Sequence, residues 1–390
     1  MDRPGTYQPS PGVLVLEDGR TFRGRLYTNE PTPKGGEVVF TTNMTGYQEV
    51  LTDPSYHGQI VVFTYPLIGN YGVRARDDQA PRPWVAGCVM RELCLHPDGW
   101  DMEAPLLTYL QRHRIPCLTD VDTRALVRHL RAHGTLRGIL APAPSTLEEH
   151  LELLQKARSV ASVSEQDLVH HVSREGPRRY PPLHATAPPT RVVLIDNGYK
   201  QNLLKHLLHR GAEVIVLPWD ASLTDVLSWS PDGVVLSPGP GDPINLAQSV
   251  ALTRGLLERR IPLLGICLGH QIIGLAAGAR TQRLPFGHHG GNHAVKDVRT
   301  GRVFITSQNH EFAVVAETVP THNGWYVRQL NLNDHSVEGL AHETWPVISV
   351  QYHPEGAPGP EDSQSYFDEF LALCQTASPS RSRIRSSRGR

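Results

Sequence analysis

IPLLGICLGHQIIGLAAGA, residues 261–279, opens as a short apolar run and changes character at Cys267, where small and apolar residues take over. The first part reads as a buried strand and the second as a helix rich in glycine and alanine, with one thiol at the junction. Gly265 and Gly269 flank that thiol, and such glycines let a backbone turn sharply and hold a side chain exposed above a sheet, the geometry of a nucleophile elbow. A free cysteine of pKa about 8.5 is only about 3 % thiolate at neutral pH, and the positive end of a helix raises that fraction. By itself GICLGHQ also suits a buried core cysteine at a strand end.

Upstream of this junction the pattern alternates. RVVLID is a branched apolar run, KQNLLKHLLHRG has helical spacing and ends on glycine, AEVIVLPW is apolar again, and DGVVLSPGPGD follows a second helix near 221–229. Another helix at about 246–260 leads into the quoted stretch. The rhythm predicts an α/β domain with a mainly parallel sheet covered by helices.

Downstream, VISVQYHPEG (347–356) delivers His353 and Glu355 from the end of an apolar strand. Residues i and i+2 of an extended chain share a face, and Pro354 keeps His353 extended, so the imidazole and the carboxylate project together. A carboxylate beside an imidazole fixes its tautomer and stabilises its protonated form, as a base serving a nucleophile requires. LSPGPGDP (236–243) closes another strand with Gly239 and Gly241, and a turn of this kind can present backbone N–H groups to an oxyanion. Gly241 and Leu268 N–H are the candidate donors.

The first half of the chain has a different grain. GVLVLEDGRTFRGRLY and GEVVFTTNMTGYQEVLT read as strands with turns, followed by helical stretches near 103–113 and 122–133, which predicts a mixed α and β domain over 1–175. Prolines cluster over 174–190, so a linker is expected at 176–190, with the second domain at 191–375. The end, 376–390, runs into SRSRIRSSRGR, arginine and serine with almost nothing apolar, and reads as a disordered basic tail.

At 390 residues the chain suits two domains, and 39 acidic against 38 basic residues argue against nucleic acid or membrane as a partner. No GxxxxGK[ST] or GxGxxG loop occurs. Neither an 18-residue apolar stretch nor a signal-peptide pattern is present, and the five cysteines (Cys88, Cys94, Cys117, Cys267, Cys374) show no CxxC pair, so a cytoplasmic chain with reduced thiols is expected. His288, His289, His293 and His310 lack a recognisable ligand spacing, and no metal is expected.

The order Cys267, His353, Glu355 within GICLGHQ and QYHPE, after SPGPGDP, resembles the class I, triad-type glutamine amidotransferases over residues 191 to about 375. LEDGRTFRGR, GEVVFTTNMTGYQEVLTDPSYHGQIVVFTYPLIGNYG, DVDTRALVRHLRAHGTLRG, FGHHGGNHAV and SQNHEFAV resemble the small chains of carbamoyl phosphate synthase, across nearly the whole sequence. The resemblance implies a chain that hydrolyses L-glutamine through a Cys267 thioester and delivers ammonia to a large subunit. That partner would use ATP and Mg2+ to form carbamoyl phosphate for arginine and pyrimidine biosynthesis, with no cofactor in this chain. Carried over by position, the glutamine contacts implied are Ser55, Gly239, Gly241, Leu268, Gln271, Asn309 and Phe312, with Ser55 reaching in from the first domain. Glu311 stands where the family reads glycine, and it can keep a substrate contact if its backbone has negative φ. The alternatives are the glutaminase of another amidotransferase, a free-standing γ-glutamyl hydrolase or cysteine peptidase, and a non-catalytic regulatory subunit.

Overall fold

A computed structural model of the chain describes residues 8–28, 33–184 and 189–377. Its contacts divide into two units, Met1–Gln166 with Pro285–Gly290, and Asp167–Leu284 with Gly291–Arg390. Among the described residues no helix is long and apolar enough to cross a membrane. All five cysteines are free thiols.

In the first unit, strands β1 (Ser10–Leu16), β2 (Thr21–Tyr27), β3 (Lys34–Thr41), β4 (Ile60–Phe63), β5 (Gly87–Val89), β6 (Cys117–Thr119) and β7 (Leu136–Pro142) close into a barrel in the order β1-β2-β6-β5-β4-β3-β7. The period of two sorts its side chains. Leu14 and Leu16 join a cluster with Leu26, Val38, Ile60 and Val62, while Val13 and Val15 pack on the other side with Leu153 and Ala157. Helices α1 (Tyr47–Thr52), α2 (Leu106–Arg112), α3 (Thr123–His133) and α4 (Leu147–Arg158) complete the unit. The helix expected from 103 starts at Leu106 because Pro105 precedes it, and the residue before a proline is held extended. Asp122 caps α3 by accepting from the Ala125 N–H at 2.9 Å, and Gly134, at φ 89, ends it. The stretch Pro285–Gly290 belongs to this unit through backbone bonds, with Thr135 N donating to Pro285 O at 2.8 Å and Thr42 N to His289 O at 3.3 Å.

The second unit is α/β. Its strands are β8 (Arg178–Tyr180), β9 (Thr190–Asp196), β10 (Ala212–Pro218), β11 (Gly233–Leu236), β12 (Leu263–Ile266), β13 (Thr281–Asp297), β14 (Val303–Val314), β15 (Trp325–Asn331), β16 (Val337–His342) and β17 (Val347–Val350). They form one ten-stranded sheet in the order β8-β10-β9-β11-β12-β17-β16-β15-β13-β14. Strands β10, β9, β11, β12 and β17 are mutually parallel, and antiparallel pairing continues the sheet through β16 and β15.

Both faces of the parallel part are covered by helix, which is why its strands read as unbroken apolar runs. Val192, Leu194, Val214 and Val216 face Leu203 and Leu207 of α5 (Gln201–His209) and, further along, Phe367 and Phe370 of the C-terminal helix. Val193, Ile195, Ile215 and Leu236 lie on the opposite face, in a cluster with Val226 of α6 (Leu223–Ser228), Leu256 of α7 (Ala247–Glu258) and Ile272 of α8 (Leu268–Ala277).

Three boundaries differ from the sequence expectation. The second unit starts at Asp167, because Val169 enters its core and Arg174 N donates to Asp196 Oδ2 at 3.0 Å. The stretch expected as a linker at 176–190 contains β8, paired antiparallel to β10 with Tyr180 opposite Val214, and residues 185–188 lie outside the described residues. Thr376 and Ala377, expected in the tail, instead belong to α9 (Ser365–Ala377), where the Thr376 hydroxyl donates to Ala372 O at 2.7 Å. Residues 378–390 lie outside the described residues.

Candidate active site

Four parallel strands end at the same edge of the sheet, and ligands in such folds gather outside carboxyl ends. Strand β9 ends at Asp196 and leads to Lys200, β11 leads to Ser237–Gly241, β12 to Cys267, and β17 to His353 and Glu355. Because β12 and β17 are adjacent, with Ile266 registered on Val350, the residues just beyond them are brought together, and Cys267 N donates to Val350 O at 2.9 Å.

Cys267 has φ 52 and ψ −106 and stands at the N-cap of α8, so the strand-to-helix turn places its own backbone in a region unfavourable to side-chain-bearing residues. The two flanking glycines do not carry this positive φ. They are needed for close approach: a Cβ on Gly265 would lie 2.6 Å from Gly269 O, and one on Gly269 would lie 2.1 Å from Leu236 O. The thiol is 2 % exposed and donates to Asn309 O at 3.5 Å.

His353 Nδ1 lies 2.7 Å from Glu355 Oε1, with both side chains buried. Burial works against the charged forms of both groups, and their mutual attraction overrides it, holding His353 well above and Glu355 well below their ordinary pKa values. Cys267 adds to the rise at His353, although Nε2 has no hydrogen bond of ordinary geometry among the described residues. Catalytic contacts are often loose before substrate arrives. The sequence reading did not single out Lys200, which is 1 % exposed and faces the same carboxylate. Its Nζ lies 3.5 Å from Glu355 Oε1 and donates to Gly356 O at 2.6 Å. Asn202 Nδ2 also donates to Glu355 O, at 2.6 Å. A lysine at a helix start carries no local sign that it will be buried; only the folded sheet brings it to a carboxylate.

The glycine loop lies beside the elbow. Gly241 has φ 93, and a Cβ on Gly239 would meet Asn197 O at 2.0 Å and Leu268 Cδ2 at 3.0 Å. Leu268 supplies the first N–H of α8, one of those with no partner inside the helix.

Strand β14 supplies the remaining candidates. Gln271 reaches across from α8, its Nε2 donating to Phe312 O at 2.8 Å and Gln351 Oε1 at 3.2 Å, so its side-chain amide ties the helix to the strand. His310, on the same strand as Phe312, has Nδ1 2.8 Å from Phe312 O. Glu311 lies inside the strand and is not among the residues of positive φ, so its backbone carries no strain of that kind. Its Oε2 accepts from Arg283 Nη2 at 2.9 Å, and that guanidinium lies 5.9 Å from the Phe312 ring centre. One turn further along α8 than the thiol, His270 is fully buried and held neutral, its pKa pushed down to about 3 by burial, with Nδ1 2.8 Å from Ser349 Oγ of β17.

Ser55 belongs to the first unit. It lies on the short turn Pro54–Tyr56, where its N–H donates to Asp53 Oδ1 at 2.9 Å and its hydroxyl makes no hydrogen bond among the described residues.

Comparison with known proteins matches residues 193–373 to the family model described as Glutamine amidotransferase class-I, and residues 14–140 to Carbamoyl-phosphate synthase small chain, CPSase domain. The carbamoyl phosphate synthase small chain of Symbiobacterium thermophilum is 48 % identical over 360 residues, covering 92 % of this chain and 97 % of its own. That of Bacillus caldolyticus is 47 % identical over 362 residues, covering 92 % and 95 %. The carbamoyl phosphate synthase pyrimidine-specific small chain of Halalkalibacterium halodurans is 44 % identical over 363 residues, covering 93 % and 97 %.

Proposed function

The chain belongs to the carbamoyl phosphate synthase small chains, and from that premise we propose that it is the glutamine-hydrolysing subunit and works through Cys267, His353 and Glu355. The observation that carries this reading is the arrival of a thiol on a strained strand-to-helix turn and an imidazole–carboxylate pair from the neighbouring strand at one edge of the sheet.

In the proposed cycle the Cys267 thiolate attacks the side-chain amide carbon of L-glutamine. Gly241 and Leu268 N–H receive the oxyanion. The tetrahedral species collapses as the His353 imidazolium gives its proton to the departing nitrogen, releasing ammonia and leaving a γ-glutamyl thioester. Water then loses a proton to His353 and attacks the thioester through a second oxyanion, and glutamate and the thiolate are regenerated. The sum is glutamine plus water to glutamate plus ammonia. Glu355 keeps the imidazole oriented and its cation stable throughout.

Ser55, Gln271, Asn309, Glu311 and Phe312 complete the proposed substrate set, with Gln271 acting through the strand it holds. Ammonia would pass to a large subunit that uses ATP and Mg2+ for carbamoyl phosphate formation in arginine and pyrimidine biosynthesis, and this chain would carry no cofactor.

The test is kinetic. In the complex with its large chain, Cys267→Ser should abolish glutamine-dependent synthesis and leave synthesis from added ammonia intact, because the thiol only releases nitrogen. An equal loss of both activities would refute the division of labour, and retained glutamine hydrolysis would refute the nucleophile.

A further inference from the structure

We infer that Asn197 is a positioning residue for the glycine loop that carries the oxyanion donor, an inference that rests on the glutaminase reading above. Asn197 follows β9 directly and is fully buried. Its backbone N–H donates to Ser237 Oγ at 2.9 Å, and its Nδ2 donates to Ser237 O at 3.2 Å. The Ser237 hydroxyl passes its own proton to Pro238 O at 2.8 Å. A flipped amide would set Oδ1 against a carbonyl, so the donor assignment follows from the partners. The residue behind it is fixed in turn, since Asp196 Oδ1 accepts from Gly198 N at 2.9 Å and Tyr199 N at 3.1 Å.

The loop has little room to settle elsewhere. With a Cβ at Gly239 falling 2.0 Å from Asn197 O and 3.0 Å from Leu268 Cδ2, its backbone is clamped between Asn197 and the first residue of α8. Gly241 and Leu268, the two proposed oxyanion donors, are thereby spaced in part by contacts that pass through Asn197, Ser237 and Gly239. Oxyanion stabilisation depends on donors already placed where charge develops, and a displacement of about 1 Å can cost on the order of a hundredfold in rate. Asn197 need not touch the substrate. It acts through Ser237 on where the Gly241 N–H points. Three residues on, Lys200 holds Gly356 O, and Asn202 holds Glu355 O, so the short connection Asp196–Asn202 braces the oxyanion loop on one side and the turn bearing the triad acid on the other.

The experiment compares Asn197→Leu and Ser237→Ala with wild type and with Cys267→Ser, in the complex with the large chain. It measures glutaminase kcat and KM, and the rate at which iodoacetamide alkylates Cys267. Alkylation displaces iodide from a methylene carbon and develops no oxyanion, so it reports the thiol without the loop. The expected result is a kcat lower by about tenfold to a hundredfold in both variants, with KM and alkylation rate within about threefold of wild type. Wild-type kcat in both variants overturns the inference. So does alkylation falling in step with turnover, which marks a purely structural role and is what a misfolded variant would give. Absence of glutamine hydrolysis by the wild-type complex would instead bring down the glutaminase reading itself, independently of Asn197, and hydrolysis by Cys267→Ser would refute the nucleophile.

Discussion

Lys200 and Glu355 form a wholly buried ion pair, with Nζ 3.5 Å from Oε1 and side chains 2 % and 0 % exposed. The carboxylate thus stands between two cationic partners, since His353 Nδ1 is 2.7 Å from the same oxygen. Lys200 lowers the pKa of both neighbours, favouring the Glu355 carboxylate and opposing the His353 cation. Its bond to Gly356 O, at 2.6 Å, pins the turn that follows Glu355.

Lys200→Met keeps the length of the stem and removes the charge and both contacts. Breaking one side of a buried ion pair costs about 3–5 kcal/mol, and since His353 remains beside Glu355 the lower end, about 3 kcal/mol, is expected. Urea unfolding of the purified variant measures it. A loss under about 0.5 kcal/mol would show that the pair contributes nothing to stability.

The His353–Glu355 pair sets a pH window. Glu355 is shifted below its ordinary 4.5, so its contribution is present above that value and is lost as pH falls through the lowered one. His353 is shifted above its ordinary 6.5, so its contribution is complete below that value and is lost as pH rises through the raised one. The stability difference between wild type and Glu355→Gln should therefore peak between 4.5 and 6.5 and shrink on both sides. A difference independent of pH would contradict the assigned shifts.

The backbone of Cys267 predicts an inverted preference between alanine and glycine. Side-chain-bearing residues at such dihedrals store on the order of 1–3 kcal/mol, and glycine escapes most of it at an entropic cost of about 0.5–1 kcal/mol. Cys267→Gly should thus be more stable than Cys267→Ala by about 1 kcal/mol, with both inactive. Calorimetry that ranks the alanine variant higher would mean the turn is unstrained.

Glu311→Gly introduces the glycine that the resemblance implies at this position, but not a better fold. Glycine inside a strand costs about 1 kcal/mol, and the bond from Arg283 to the Glu311 carboxylate is lost, so the melting temperature should fall by several degrees. Glu311→Gln should keep most of the stability, because an amide oxygen still accepts from the guanidinium. Stabilisation by the glycine would point to hidden strain at this position.

Much of the site was legible from local chemistry. The apolar run ending at Cys267, the spacing of His353 and Glu355 on an extended segment, and the glycine pair in SPGPG are all short-range signals, and each marks the end of a strand at the carboxyl edge. The glycines beside the thiol were legible as a turn but not in their physical role. Their missing Cβ atoms make room for Gly269 O and Leu236 O, whereas the unusual dihedrals fall on the cysteine. Element ends shifted wherever a proline or a pairing partner intervened, as at Pro105 and in the strand Arg178–Tyr180.

The sequence by itself determined where the parallel strands and their helices fall and which residue types carry the chemistry, because hydrophobic period, turn residues and i, i+2 spacing act over a few positions. Tertiary structure alone decided that Lys200 is buried against Glu355, that Asn197 clamps Ser237, and that Arg283 neutralises Glu311. Each of these joins residues far apart in the chain, and the worth of a buried charge or amide depends on the partners and low dielectric that strand order assembles around it, a property no local stretch contains.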